Sequence, residues 1–391
     1  MIKKLQLVFL DYISWLSLTG FASSSVIIGL CLPEISEELQ FNSLKAGLME
    51  SFRNFALILV IFIFAIFAAR FGKKIFSFSG HYLIALGLII ASFSQAYPML
   101  FLGLIIIGLG GGAIEGLLTP LVVDLHPNNP QKYVNLINAF FPVGVVIAAI
   151  LSGYFLHLGI SWRMIFRLLA VYVFAIGVIF HLSSFPQSQD SKDFSLALVW
   201  QIFKQPIFWY LAIALFLAVG IEGSFTFWSR TYISEFLSDN VRLATSSLII
   251  FSSFMALGRI LGTKTSGVLA ETKLLLLSAI PGILVALYVP FAHNLISFYI
   301  ILAFSGFSIA CFWPALLVLA AKFIKTNNTT LFGLLTLLGI PAFGIFPAII
   351  GWLAQTYNLK IAFLLVPIAF IILIILIFVI QKYEKNSNSS A

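Results

Sequence analysis

Three ionisable residues lie inside long apolar stretches of the sequence: Glu115, Glu222 and Arg259. A charge at the centre of a bilayer costs about 3 kcal/mol on insertion scales, so such residues usually face a cavity or a partner. Desolvation favours the neutral carboxyl, whereas a nearby cation favours the carboxylate. A Glu that opens alternately to two sides can therefore take up and release a proton. We interpret Glu115 and Glu222 as candidates for proton coupling or substrate binding; the alternative is a static, protonated hydrogen-bond donor.

Arg259, in "MALGRILG", stays charged at any relevant pH and needs an acceptor. Its partner is Glu222 on the preceding apolar stretch or Glu115 from the other half of the chain, and a static ion pair is an equally open reading. Glu50 and Arg53 are three residues apart and are expected to pair on one helix face. A gating role for that pair is the less favoured hypothesis.

The elements that carry these residues are membrane-spanning helices. The chain has 391 residues, of which 61% are hydrophobic and 9% charged, and its mean hydropathy is +1.08. A soluble domain has roughly a quarter of its residues charged. Apolar stretches recur that are long enough to cross a hydrocarbon core of about 30 Å as helices. They lack the alternation of barrel strands.

The sequence predicts an all-α membrane protein with twelve transmembrane helices in two pseudo-symmetric six-helix bundles. The predicted spans are 7–32, 44–69, 76–95, 98–124, 133–157, 160–183, 206–233, 243–268, 273–293, 295–323, 329–357 and 360–381. We divide the chain into an N-terminal bundle, a cytoplasmic linker, a C-terminal bundle and a cytoplasmic tail. Their respective ranges are 1–183, 184–205, 206–382 and 383–391.

The net charge of +8 reflects topology. With both termini inside, the cytoplasmic segments carry about twice as many Lys and Arg residues as the opposite side, which favours that orientation. We therefore expect a multi-pass protein of the inner membrane, with the lipid bilayer as its surroundings and no nucleic-acid partner. Nothing in the sequence indicates an oligomer, and we expect a monomer.

The two halves resemble each other. The fourth span reads "GAIEGLLTPLVV" from Gly112 and the tenth reads "GFSIACFWPALLV" from Gly306; in both, Pro follows the Gly eight residues later, at Pro120 and Pro314. Internal repeats of this kind are characteristic of secondary transporters. Ile309 is the counterpart of Glu115, so the acid belongs to one half alone.

Two loops resemble the signature of the major facilitator superfamily. "AARFGKK" follows the second span and "GVLAETK" follows the eighth, although Ala69 stands where the family carries an aspartate. The resemblance implies a conformational latch between the cytoplasmic ends of the halves. The matching residues are Arg70, Gly72, Lys73, Lys74, Gly267 and Glu271.

Within that superfamily, the sequence around Glu115 is similar to the fucose:proton symporter family and its sugar-permease relatives. The matches are Glu115, Asn135, Leu136, Phe140, Phe141 and Gly144. Thr119 replaces the family's Asn, and Gly29 replaces an acidic residue of the first span.

The resemblance implies that spans one, four, seven and ten line a central cavity. We expect Glu115, Glu222 and Arg259 to serve coupling or substrate there. Cavity candidates, for which lipid or core contacts are the alternative role, are Trp15, Asn54, Thr119, Asn138, Thr226, Trp228 and Trp313.

The sequence contains no phosphate loop, metal-ligand spacing or nucleophile motif, so we expect neither an enzyme nor a cofactor, and the proton gradient is the expected source of coupling. We predict a proton-coupled carrier of a sugar-like or other small polar metabolite. The alternatives are a proton-driven efflux antiporter for an amphipathic compound and a transport-incompetent membrane sensor.

Overall fold

The computed structural model describes residues 2–126, 133, 136–185, 196–265, 270–326 and 328–389. Within these residues it contains twelve helical spans that are long and apolar enough to cross a membrane. Twelve crossings return the chain to the side from which it started. We call the side that holds both ends of the chain the terminal face and the other side the opposite face.

The spans agree with the predicted order and differ from it by a few residues at their ends. Eight consist of one main helix: Ile2–Leu39 (span one), Ser43–Phe71 (two), Lys73–Ser92 (three), Tyr97–Leu125 (four), Phe140–His157 (five), Trp162–Leu182 (six), Pro206–Phe236 (seven) and Val241–Thr265 (eight). The others are interrupted or extended: Glu271–Ala286 with the 3-10 turn Val289–Phe291 (nine), Leu295–Ile309 with Phe312–Phe323 (ten), Asn328–Gly339 with Ala342–Thr356 (eleven), and Leu359–Ala362 with Leu365–Ser389 (twelve).

Short connections with defined turn residues separate the spans. Gly72 and Gly159 have φ angles of 78° and 75°, in the left-handed region that glycine adopts at little cost. Asn294 and Asn358 cap the first helices of spans ten and twelve, their side chains accepting hydrogen bonds from backbone N–H groups at 2.8 and 2.9 Å. The loops thus end one helix and start the next within a few residues.

Spans four and ten differ in shape although their sequences are related. Span four continues through Pro120, whereas span ten is interrupted at Ala310 and Cys311. Pro314 lacks the N–H that would bond to the carbonyl of Ala310, four residues earlier, which accounts for the weakened helix at that point. Ile309, the counterpart of Glu115, is the last residue before the break.

Packing inside each half repeats the same contact. A Cβ added at Gly112 would overlap the carbonyl oxygen of Leu57 on span two, and one added at Gly306 would overlap that of Phe251 on span eight. The two glycines are separated in the sequence by the same number of residues as their two partners. Small residues allow such close helix approach. The contact supports the internal repeat that the sequence indicates.

The two halves meet at the opposite face. Span two packs on span eleven, where the Ser51 hydroxyl donates to the Gly344 carbonyl at 2.7 Å, and span five packs on span eight, where Gly153 faces Thr245. Spans one and seven approach each other at Gly29, where an added Cβ would lie 3.0 Å from the carbonyl oxygen of Phe227. Closure of the molecule at this face follows from these three contacts.

Helix also forms in the segments expected to be a linker and a tail. Leu196–Phe203 is helical within the predicted linker, and its carbonyl end accepts a hydrogen bond from the Trp209 indole at 2.9 Å. The last helix continues to Ser389, beyond the predicted end of the bundle. Near the end of this helix, Glu384 accepts a hydrogen bond from the Thr272 hydroxyl at 2.9 Å, which attaches the helix to span nine.

Substitution of the paired glycines tests this packing. Gly112→Ala and Gly306→Ala should each lower the free energy of unfolding by about 1–3 kcal/mol, because the backbone on the neighbouring span has to move. Thermal melting of the detergent-purified protein measures the effect. Gly333→Ala is the matched control, since its added Cβ meets nothing within 4 Å. Melting of all three variants like the wild type would contradict the account.

Candidate substrate and coupling site

Glu115 lies on the side of span four that packs on span one. One turn before it, a Cβ on Gly111 would lie 2.8 Å from the ring of Phe21 on span one. One turn after it, Thr119 is exposed. Residues four apart share a helix face. Glu115 therefore lies between the part of this face that is packed against span one, at Gly111, and the part that is exposed, at Thr119.

The carboxylate of Glu115 has no hydrogen-bond or ion-pair partner among the described residues. The side chain is half-buried, so the carboxylate is largely removed from water without being compensated by a cation. This arrangement favours the neutral form and makes the group sensitive to any change in its surroundings.

Glu222 occupies the corresponding region of span seven. Thr226, one turn further on, lies against Gly29 of span one, with its carbonyl oxygen 3.2 Å from a Cβ added there. Glu222 is thus on the side of span seven that faces the N-terminal half. Its backbone carbonyl accepts a hydrogen bond from the Thr226 hydroxyl at 2.9 Å, and its carboxylate is half-buried.

Arg259 lies in the last two turns of the described part of span eight, nearer the terminal face than the mid-membrane position expected from sequence. It interacts electrostatically with Glu222 and with the Cys311 thiol at the break in span ten. No carboxylate of the described residues is within 4.0 Å of its guanidinium. Arg259 therefore acts on Glu222 through its charge but forms a direct ion pair with neither Glu222 nor Glu115 among the described residues.

A buried ion pair that sequence reasoning missed closes the opposite face. Arg230 on span seven donates to both carboxylate oxygens of Glu34 on span one, with the Nη1 to Oε2 distance 2.6 Å. Arg230 is 1% exposed. Nearby, the Trp228 indole donates to the Pro347 carbonyl at 3.1 Å. The signal available in the sequence was that both charges lie near the same end of their spans.

The pairing of Glu50 with Arg53 is confirmed. Arg53 Nε donates to Glu50 Oε2 at 2.9 Å, and Asn54 Nδ2 donates to Glu50 Oε1 at 2.8 Å. Both charged residues are buried where span two packs on span eleven. The Asn54 side chain is buried and its amide donates to Glu50. Its predicted place in a cavity is therefore not supported in this conformation.

The remaining cavity candidates differ in accessibility. Trp15 stacks on Phe140 with ring centroids 5.1 Å apart, Trp313 and Thr226 are half-buried, and Thr119 and Asn138 are exposed. Trp228 is fully buried by its contact with span eleven. The expectation that it lines a cavity does not hold here, because its indole is buried and hydrogen-bonded to span eleven within the C-terminal half.

Ion pairs at the terminal face stay within one half. Lys73, beside the turn at Gly72, bonds to the Asp124 carboxylate and, at 3.0 Å, to the Pro120 carbonyl. His126 contacts Asp11 at 2.8 Å, and Lys322 contacts Glu384 at 2.6 Å. Asp11 and Asp124 are therefore both paired within the N-terminal half.

Part of the predicted latch lies outside the description. The side chain of Arg70 and all of Gly267 fall outside the described residues. Lys74 is half-buried at the start of span three, and Glu271 opens span nine and interacts electrostatically with Lys322. The described latch residues make contacts within their own halves in this conformation.

No cluster of three or more metal-ligating side chains occurs among the described residues. The chemistry that the geometry offers is electrostatic: two half-buried acids and one half-buried cation lie on spans four, seven and eight. Binding and release of protons and of a polar solute are the processes such an arrangement can support.

The model of the Major Facilitator Superfamily matches residues 14–339. The chain belongs to this superfamily. Its helical fold, with twelve spans, is that of the superfamily, and the resemblance seen in the signature loops is confirmed. Comparison with curated protein sequences gives no match.

Solved structures of superfamily transporters share the fold. A bacterial homologue of the human lysosomal transporter Spinster, in an inward-facing and unoccupied conformation, has a TM-score of 0.80 at 12% identity and covers 96% of this chain and 97% of its own. The nucleoside transporter NupG has a TM-score of 0.79 at 15% identity, covering 96% and 99%. The E. coli fucose:proton symporter has a TM-score of 0.68 at 19% identity, covering 96% and 99%.

A native cysteine reports on closure of the opposite face. Cys31 is fully buried on span one, one turn before Glu34, and interacts electrostatically with Arg230. Arg230→Gln leaves the Glu34 carboxylate without its cation and weakens the contact between the halves. In a Cys311→Ser background, a membrane-impermeant maleimide applied from the opposite face should label Cys31 at least about tenfold faster, equivalent to 1.4 kcal/mol.

Arg163→Gln is the matched control. Arg163 also pairs with an acid of span one, Glu38, but its bonds stay within the N-terminal half. Its loss should leave Cys31 protected. Equal labelling of Cys31 in both variants and the wild type would show that the pair of Glu34 and Arg230 does not hold the opposite face closed.

Proposed function

We propose that this protein is a secondary active transporter that moves a small, sugar-like or other polar metabolite across the inner membrane by proton-coupled symport. Family membership supports transport, since the superfamily consists of transporters rather than enzymes. Coupling to protons, the class of solute and the inner-membrane location are parts of the proposal.

Alternating access is supported by the distribution of contacts. The bonds that join the halves, at Ser51 and Arg230, lie at the opposite face, whereas the ion pairs of Lys73 and Lys322 at the terminal face stay within one half. With both termini in the cytoplasm, as the Lys and Arg distribution favours, this is the conformation open to the inside.

The observation that carries the coupling proposal is the unpartnered carboxylate of Glu115. Glu34 and Glu50 are paired with arginines at the closed face, but Glu115 has no cation within ion-pair distance among the described residues. Its repeat counterpart is the apolar Ile309, so the fold itself does not require an acid there. A proton on Glu115 removes the cost of a charge during the change of conformation.

The class of solute is supported by polar and aromatic side chains on spans one, four and ten. Thr119 is exposed one turn from Glu115, and Trp15 and Trp313 are half-buried on spans one and ten. Structures of similar fold include a fucose:proton symporter, a D-xylose:proton symporter and a nucleoside transporter. Each of these acts on a polar compound that contains a sugar ring, and a solute of that kind is proposed here.

The Gln variant of Glu115 tests coupling. Glu115→Gln mimics the protonated carboxyl, so exchange of labelled for unlabelled solute across the membrane should persist, while accumulation driven by a proton gradient should be lost. Reconstituted vesicles containing a pH-sensitive dye are screened with L-fucose, D-xylose and uridine. In the wild type, addition of the transported solute outside should acidify the vesicle lumen.

Glu37→Gln is the control, because Glu37 is an exposed acid at the end of span one that lies at the opposite face. It should accumulate solute like the wild type. If Glu115→Gln accumulates solute at the wild-type rate with the same pH dependence, the assignment of Glu115 is wrong. If solute uptake drives protons out of the vesicles, the protein is an antiporter.

A further inference from the structure

Arg259 is an arginine whose hydrogen-bonding capacity is poorly used. Its hydrogen bond among the described residues goes to the Met255 sulfur at 4.0 Å, and its Nε atom is buried without a partner. A guanidinium has five N–H donors and is always charged. Leaving it without an oxygen acceptor inside a span is unfavourable, because the charge is partly removed from water and is not compensated.

Other arginines of the described chain have the acceptors that Arg259 lacks. Arg53, Arg163 and Arg230 each bond to a carboxylate, of Glu50, Glu38 and Glu34 respectively. Arg167 donates to the Ser92 hydroxyl at 3.3 Å and lies over the ring of Phe93. Among the described residues Arg242 also has no oxygen acceptor for its guanidinium, but it is exposed at the start of span eight and lies over the Tyr154 ring, whereas Arg259 is half-buried.

The position of Arg259 places its unused donors between the halves. Leu248, at the start of the same helix stripe, packs against Val26 of span one and Ala148 of span five. Ser252, Met255 and Arg259 follow at intervals of three and four residues, which keeps them on that side of the helix. The halves are in contact at Leu248, and Arg259 lies about three turns closer to the terminal face, where the ion pairs no longer cross between them.

Glu222 makes the site responsive to an anion. The charge of Arg259 acts electrostatically on Glu222 and on the Cys311 thiol at the break in span ten. A single guanidinium neutralises one negative charge. If an incoming carboxylate takes the donors of Arg259, Glu222 loses its compensating cation and is left half-buried, which favours its protonation.

We propose that Arg259 binds the carboxylate of an anionic solute, such as a sugar acid or hydroxy acid, and that Glu222 takes up a proton as the solute binds. The proposal rests on the proposed transport function and narrows its class of solute. The carboxylate forms charge-assisted hydrogen bonds with the Arg259 guanidinium, and one proton moves from solvent to the Glu222 carboxylate. The bound complex then carries the same net charge as the empty site.

The test measures binding and proton uptake in detergent, without transport. The probes are sodium D-galacturonate, D-gluconate and L-lactate, each beside its neutral partner, D-galactose, D-glucitol or 1,2-propanediol. At least one acid should raise the melting temperature more than its neutral partner does. With a pH dye in weakly buffered solution, binding of that acid should take up about one proton per protein.

Variants separate binding from proton uptake. Arg259→Gln should weaken binding of the acid by about 10- to 100-fold, the loss expected for hydrogen bonds to a charged group. Glu222→Gln should bind the acid without proton uptake and with little dependence on pH. Arg167→Gln, which changes an arginine that bonds to Ser92, should behave like the wild type.

The outcomes bear differently on the two proposals. If no acid stabilises the protein more than its neutral partner, or if the acid binds Arg259→Gln as tightly as the wild type, the anion site is wrong. Galactose-driven proton entry into vesicles that is unchanged in Arg259→Gln would overturn the anion site and leave the symport proposal standing. Binding that depends on Arg259, without any proton entry into vesicles, would support the anion site and contradict symport.

Discussion

The cost of holding a charge inside the membrane is the constraint on which this structure depends. Where the halves touch, that cost is met by direct pairing: Glu34 with Arg230 across the halves and Glu50 with Arg53 beside span eleven. Where the halves are apart, Glu115 has no cation among its described neighbours. The paired charges therefore stabilise one conformation, and the unpaired one is free to respond to protons or solute.

The closed face is specific because its bonds are geometrically demanding. A bidentate guanidinium and carboxylate pair, the hydrogen bond from the Ser51 hydroxyl to the Gly344 carbonyl and the close approach at Gly29 have to form together. None of them can be kept when the halves separate at this face. Opening this face thus loses several bonds at once, which favours two discrete conformations over a continuous range.

Much of the fold was predictable from the sequence, because membrane spans are marked by length and hydropathy. The twelve spans and the repeat of Gly112 at Gly306 were read directly, and both are found in the structure. The pairing of Glu34 with Arg230 was not predictable, because it depends on which spans meet across the halves. The break in span ten was not predictable from its proline. The related Pro120 lies inside a continuous helix in span four, so a proline at this position does not by itself decide whether the helix is interrupted.

The central claim is that the halves move as two bodies about a site between them. Spin labels at Phe93 and Tyr288 report on the opposite face, and labels at Lys74 and Lys273 report on the terminal face; each pair has one label in each half. Distances are measured by double electron–electron resonance in the wild type and in Arg230→Gln. The account predicts a population in Arg230→Gln in which the opposite-face distance lengthens while the terminal-face distance shortens. Unchanged distances, or lengthening at both faces, would contradict it.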